Sequence, residues 1–206
     1  MGASASNVAE VTEPMDHQVL IVLIVVIVAV LVVAAIVFVS KRKRSEHLRE
    51  KFGPEYDRTI QQHGDAARAE TELLAREKRV KKLTLRTLPA PDRERYAANW
   101  AAVQRRFVDD PPSAVTQADK LVTQVMDARG YPTGDFDQRT ADISVDYPVF
   151  VQNYRAAREI TLRHSKGQSS TEDLRQAMVY FRSLFDELLQ SHKPEKVEVT
   201  HERLAS

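Results

Sequence analysis

Residues able to do chemistry are thinly spread along these 206 positions. There is no cysteine, so thiolate nucleophiles, thiolate zinc sites, iron–sulfur ligation and disulfides are excluded. The six histidines are His17, His47, His63, His164, His192 and His201. None forms an H-E-x-x-H pair or another ligand spacing, so no metal site is expected. The patterns G-x-x-x-x-G-K-S/T, G-x-G-x-x-G and G-x-S-x-G are missing, and with them phosphate loops and nucleophile elbows; no cofactor is expected.

Two carboxylate pairs remain. Asp109 and Asp110 are adjacent and precede two prolines; their side chains diverge, which suits a helix stop better than acid–base work. Asp142 and Asp146 lie four apart around Ser144. They fit general acid–base chemistry only beside a group that shifts one of their pKa values. The competing reading makes Asp146 the cap of a helix starting near Pro148. Arg155 and Arg158 share one helical stretch, and Arg175 and Arg182 lie seven apart on the next, with Asp186 four after Arg182. These guanidinium groups read as a solvated face with local ion pairs, or as an Arg-lined groove for an acidic or phosphorylated partner. Asp142, Asp146, Arg155, Arg175 and Arg182 are therefore the candidate polar site, and no catalytic residue is assigned.

The strongest pattern in the chain is apolar. Residues 19–39 read VLIVLIVVIVAVLVVAAIVFV, without a charge, Gly or Pro. At about 1.5 Å rise per residue they span roughly 30 Å, the thickness of a hydrocarbon core. The flanks oppose a cleaved signal peptide. Glu10, Glu13 and Asp16 precede the run with no Lys or Arg, and KRKR follows it. One transmembrane helix is expected, with Lys41, Arg42, Lys43 and Arg44 at the headgroups. The positive-inside rule puts residues 1–18 outside and the remainder in the cytoplasm. The formal net charge of +1 argues against a nucleic-acid binder.

Beyond the span, periodicity points to helices throughout. Residues 41–52 continue the membrane helix until Gly53-Pro54 ends it. Gly64 closes a short helix, and Asp65 is placed to cap the next. Residues 65–83 are rich in Ala, Glu, Leu, Lys and Arg but thin in apolar content. They read as a solvated stalk, with a coiled-coil segment or a second basic patch as alternatives. Residues 84–91 (TLRTLPAP) form a linker.

After it, Tyr96, Trp100, Val103 and Phe107 make an apolar stripe, with Trp100 in the core. Ala114, Ala118, Leu121, Val122, Val125 and Met126 make the next, closed by Gly130 and Pro132. A shorter helix over 135–143 follows, then one lined by Phe150, Val151, Tyr154, Ala157 and either Thr161 or Ile160 and ended by Gly167. The last carries Leu174, Ala177, Met178, Phe181, Leu184, Phe185 and Leu188 behind a capping box at Ser169 and Glu172. The fold class is all-α: one N-terminal transmembrane helix (19–40), a helical stalk (41–83), the linker (84–91), an irregular helical bundle (92–190) and a polar tail (191–206) expected to be disordered.

The runs RFVDDPPSAVTQADKLVTQVMDARGYP (106–132), DFDQRTADISVDYP (135–148), NYRAAREI (153–160) and TEDLRQAMVYFRSLFDELL (171–189) resemble a family of uncharacterised small bacterial single-pass membrane proteins with a C-terminal helical domain. The resemblance covers most of the chain after the span. It implies a bacterial source and the plasma membrane, and it brings no activity, ligand or catalytic residue. The functional expectation is a membrane-anchored interaction or scaffold module whose partners are the lipid bilayer and a cytoplasmic protein, with no nucleic acid. The alternatives are a membrane-tethered enzyme with its site between bundle helices, and a cell-envelope domain in inverted topology.

Overall fold

The computed structural model describes residues 17–190, which contain eight helices and no strand. They are α1 (His17–Phe52), α2 (Pro54–His63), α3 (Ala66–Val80), α4 (Ala90–Asp109), α5 (Pro111–Ala128), α6 (Phe136–Ile143), α7 (Phe150–His164) and α8 (Thr171–Gln190). The all-α class is therefore observed. The expectations for the acidic N-terminal segment and for the 191–206 tail fall outside the described residues.

The described residues divide into two compact units between Glu46 and His47. In the first, α1 is long and apolar enough to cross a membrane. An 18-residue stretch has mean hydropathy 3.8 and none of it is buried. Val22 is 62% exposed and Phe38 68%. A helix apolar all round cannot hide one face while wetting another, which is the composition of a span.

The second unit is the bundle. α5 packs against α4 and α8, and α8 packs against α7; α2 pairs with α3, and α6 touches both α3 and α7. The apolar stripes read from the sequence are the buried faces, except that Phe107 and Phe150 are half-buried. Trp100 is in the core and stacks on Phe185 with ring centroids 4.6 Å apart. Tyr154 and Phe181 meet edge to face. Helix starts follow the caps: Asp65 accepts from the Arg68 N–H, Asp110 from Ser113 and Asp135 from Gln138.

Two expectations need correction. Residues 65–83 are not a solvated stalk, and residues 84–91 do not separate a domain. Leu48, Phe52, Tyr56, Leu73 and Val80 belong to the same buried cluster as the later helices. The supposed linker is pinned to the end of α5, where the Arg86 N–H donates to the Arg129 carbonyl at 3.0 Å and Leu88 is buried. Few apolar residues suffice on α3 because they fall on one stripe, Ala69, Leu73 and Val80. The capping box is also one residue later than expected. Ser170 and Asp173 exchange bonds, the Ser170 N–H to the Asp173 carboxylate and the Asp173 N–H to Ser170 Oγ. Ser169 donates instead to the Ile160 carbonyl.

Gly130 is where this packing is tightest. It sits at φ +91°, and an added Cβ would lie 2.5 Å from the Thr84 carbonyl oxygen. Gly64 is also left-handed, at φ +66°, but has open space around it. Gly64→Ala should cost about 1–2 kcal/mol, the ordinary penalty of that conformation. Gly130→Ala should cost clearly more, about 3 kcal/mol or above, because backbone must also move. Urea unfolding of the two variants in detergent checks the order; equal losses would show that the linker gives way freely.

Candidate functional site

The densest polar arrangement lies inside the second unit, and its centre is a residue that carried no functional expectation. Glu55, one turn after Phe52 in the chain, falls on the buried stripe that also holds Tyr56 and Thr59. Its side chain is fully buried. Each carboxylate oxygen accepts two hydrogen bonds. Oε1 takes one from Arg76 at 2.9 Å and one from Arg155 at 2.8 Å. Oε2 takes one from Arg155 at 2.6 Å and one from Gln152 at 3.0 Å. Arg155 thus grips the carboxylate in the two-pronged geometry that guanidinium and carboxylate share. The clasp joins α2, α3 and α7.

α3 extends this polar seam. Arg76 Nε also donates to Glu72 at 3.0 Å. One turn later, Arg79 donates to the buried carboxylate of Asp142 at 2.6 Å, where Gln138 adds a bond at 2.9 Å. Asp142 Oδ2 is buried and has no partner among the described residues. On the opposite side of α3, Glu77 receives Lys51 at 3.0 Å and Lys81 at 2.9 Å, with His47 at 4.0 Å. Burial pushes the Glu77 carboxyl up, but the bonds from Lys81 and Lys51 outweigh it and hold it below the usual carboxylate range.

The five sequence candidates do not converge. Asp142 and Arg155 belong to the polar seam. Asp146 does not cap the following helix, which begins at Phe150 without a side-chain cap. It accepts a short hydrogen bond from the Tyr131 hydroxyl instead; burial and the Asp146 charge push that phenol far above its ordinary range. The chain needs Tyr147 and Val151 buried there, which turns Asp146 toward Tyr131. Arg175 and Arg182 lie on the outer face of α8, paired with Glu172 and Asp186. They rim a shallow groove of 210 Å³ between α4 and α8 that is floored by Trp100, Phe107, Met178 and Val179. Arg158, on α7, pairs with Asp119 at 2.8 Å. Lys41, Arg42, Lys43 and Arg44 are exposed on α1, with Arg42 paired to Glu46 at 2.9 Å.

Among the described residues no group of three or more His, Asp or Glu could hold a metal. Chemically, the seam is a set of carboxylates held by guanidinium, ammonium and amide donors, with Asp142 Oδ2 the oxygen left without one among the described residues. It can lock helices together, and Arg155 and Arg79 bring its edge toward solvent. Glu55 and Arg76 were missed in the sequence although a signal was present. Both interrupt an otherwise apolar or small-residue stripe, Phe52–Glu55–Thr59 on one side and Ala69–Leu73–Arg76–Val80 on the other. A charge on a buried stripe asks for a partner.

Compared with known proteins, the chain matches no family model, no curated protein and no solved structure.

Glu55→Ala should lower stability by about 3–5 kcal/mol, because it removes the shared partner of buried Arg76 and half-buried Arg155. Replacing Glu55, Arg76 and Arg155 together with Met should recover much of that loss; denaturant midpoints compare the two. Glu77 supplies a pH signature. Its folded pKa lies below its unfolded value, so its stabilisation is complete above the unfolded carboxylate value of about 4.3 and fades as pH falls through the folded one. Glu77→Gln should therefore cost about 0.5–1 kcal/mol at pH 7 and progressively less as pH is lowered below about 4.3, as melting temperatures across that range would show.

Proposed function

We propose that this protein is a membrane-anchored helical interaction module, held by α1 and presenting the 47–190 bundle to a protein partner in the cytoplasm. One observation carries it. The apolar side chains along α1 are exposed from Leu20 to Val39, an uninterrupted surface that water would strongly disfavour and a bilayer would solvate. The Lys41–Arg44 cluster supports a cytoplasmic bundle by the positive-inside rule. The resemblance noted above favours a bacterial plasma membrane.

Interaction, rather than catalysis, is supported by where the polar groups are committed. Each carboxylate of the seam is engaged by arginine, lysine or glutamine donors within the fold, Asp142 through Oδ1 alone. The α4–α8 groove is the better candidate for contact. Val179 is 48% exposed there, beside two arginines. An apolar floor with a cationic rim is a common interface composition.

The chain has no cysteine, so single replacements report topology cleanly. Ser4→Cys should react with a membrane-impermeant maleimide in intact cells, whereas Ser165→Cys should react only after the membrane is opened. The reverse pattern would establish the inverted topology and overturn the cytoplasmic assignment. A photo-crosslinker placed at Val179 in native membranes should give one discrete heterologous adduct. A ladder of random adducts, or none, would remove the groove from consideration.

A further inference from the structure

The clasp around Glu55 leaves one guanidinium over. Arg58 follows Glu55 by three positions on α2, so the two side chains lie on neighbouring parts of one helix face. Glu55 cannot serve it. Both of its oxygens already accept two hydrogen bonds, from Arg76, Arg155 and Gln152, which is the full capacity of a carboxylate. Arg58 Nε is buried and has no acceptor among the described residues. No carboxylate lies within ion-pair distance of it there; Glu72, Glu55 and Asp142 are taken by Arg76, Arg155 and Arg79.

The surroundings make this costly. Burial disfavours the Arg58 charge, and the positive charges of Arg155 and Arg76 add to it, while Glu55 and Asp137 offset them only in part. A buried donor without an acceptor costs about 1–3 kcal/mol. Nε is covered, but Arg58 as a whole is half-buried rather than sealed, as is Arg155, so an anion from solvent would meet the outer part of each guanidinium group. Arg155 is held rigidly by its two-pronged bond to Glu55. The site is therefore preorganised: its fixed part needs no ordering when an anion arrives.

We propose that Arg58 and Arg155, backed by Arg76, form a binding site for an oxyanion of the phosphate class, free or carried on a lipid headgroup. The guanidinium fork matches the paired oxygens of a phosphate and not a spherical halide. A phosphate bound here would give the Arg58 guanidinium an anionic partner and offset the excess positive charge around Glu55.

The test uses the full chain in phosphatidylcholine nanodiscs, titrated with inorganic phosphate at constant ionic strength against chloride. Isothermal calorimetry should show saturable phosphate binding and a rise in melting temperature that chloride does not reproduce. Arg58→Gln should weaken phosphate binding at least tenfold, and Arg58→Lys less. Arg95→Gln, altering an exposed arginine of α4 that is already paired with Asp92, should leave binding unchanged. In phosphate-free buffer Arg58→Gln should melt no lower than the parent, since it removes repulsion. A drop there would show that Arg58 has a structural partner, and would overturn the proposal. So would a parent that binds no phosphate until Asp137→Asn is introduced, because Asp137 would then be the Arg58 acceptor. Nanodiscs containing phosphatidic acid separate the sources: loss of free-phosphate binding in the parent identifies the lipid headgroup, and unchanged binding identifies the free ion.

Discussion

A carboxylate with no exposure to water must have its charge answered within the protein, and the bundle is arranged around one. Glu55 draws Arg76 from α3 and Arg155 and Gln152 from α7. Those partners are 21, 97 and 100 residues away in the chain. Their meeting fixes how the α2–α3 hairpin seats on the later helices. Apolar burial would favour many ways of laying that hairpin down, because it depends on area and not direction. The clasp permits very few, since a shift of an ångström or two would leave three buried charges unpaired. It contributes geometry more than net stability.

The apolar core and the polar seam divide the work. α4, α5, α7 and α8 are joined by large side chains, Trp100 on Phe185 and Tyr154 on Phe181. α2, α3 and α6 are shorter or poorer in such residues, and α3 has only Ala69, Leu73 and Val80 as buried apolar residues. They are held where the charges are, through Glu55, Arg76, Arg79 and Asp142. The segment between the two groups is not slack. Arg86, Leu88 and the close approach of Thr84 to Gly130 bind it to the end of α5.

This division explains what could be read from the sequence. Helices with dense apolar stripes were legible almost residue by residue, because burial selects that spacing directly. Glycine breaks at 53 and 64 and the cap at Asp65 were legible because they act locally. Residues 65–83 read as a solvated stalk because much of what buries them is ion pairing with partners far away in the chain. The candidate site fared similarly. Arg155 was marked for its charge, but its partner Glu55 was not, and Arg175 and Arg182 shared its chemistry without sharing its place. Asp146 looked like a cap, since a carboxylate two residues before a proline commonly is one. Tyr131, fifteen residues upstream, could not be weighed against that local rule.

α1 shows the two regimes within a single helix. From Leu20 to Val39 every position is apolar and exposed, so the residues carry no preferred face. Further on, Leu48 and Phe52, four apart, are completely buried while Arg49 and Glu50 between them are exposed. The backbone is helical throughout, and only the arrangement of side chains around it changes. An all-round apolar surface asks for a solvent that is itself apolar; a single stripe asks for a protein neighbour and water behind. The basic residues from Lys41 to Arg44 stand where one requirement gives way to the other. Charge placed there would be unfavourable both inside a hydrocarbon layer and beneath a packed face, and favourable at the boundary of a bilayer.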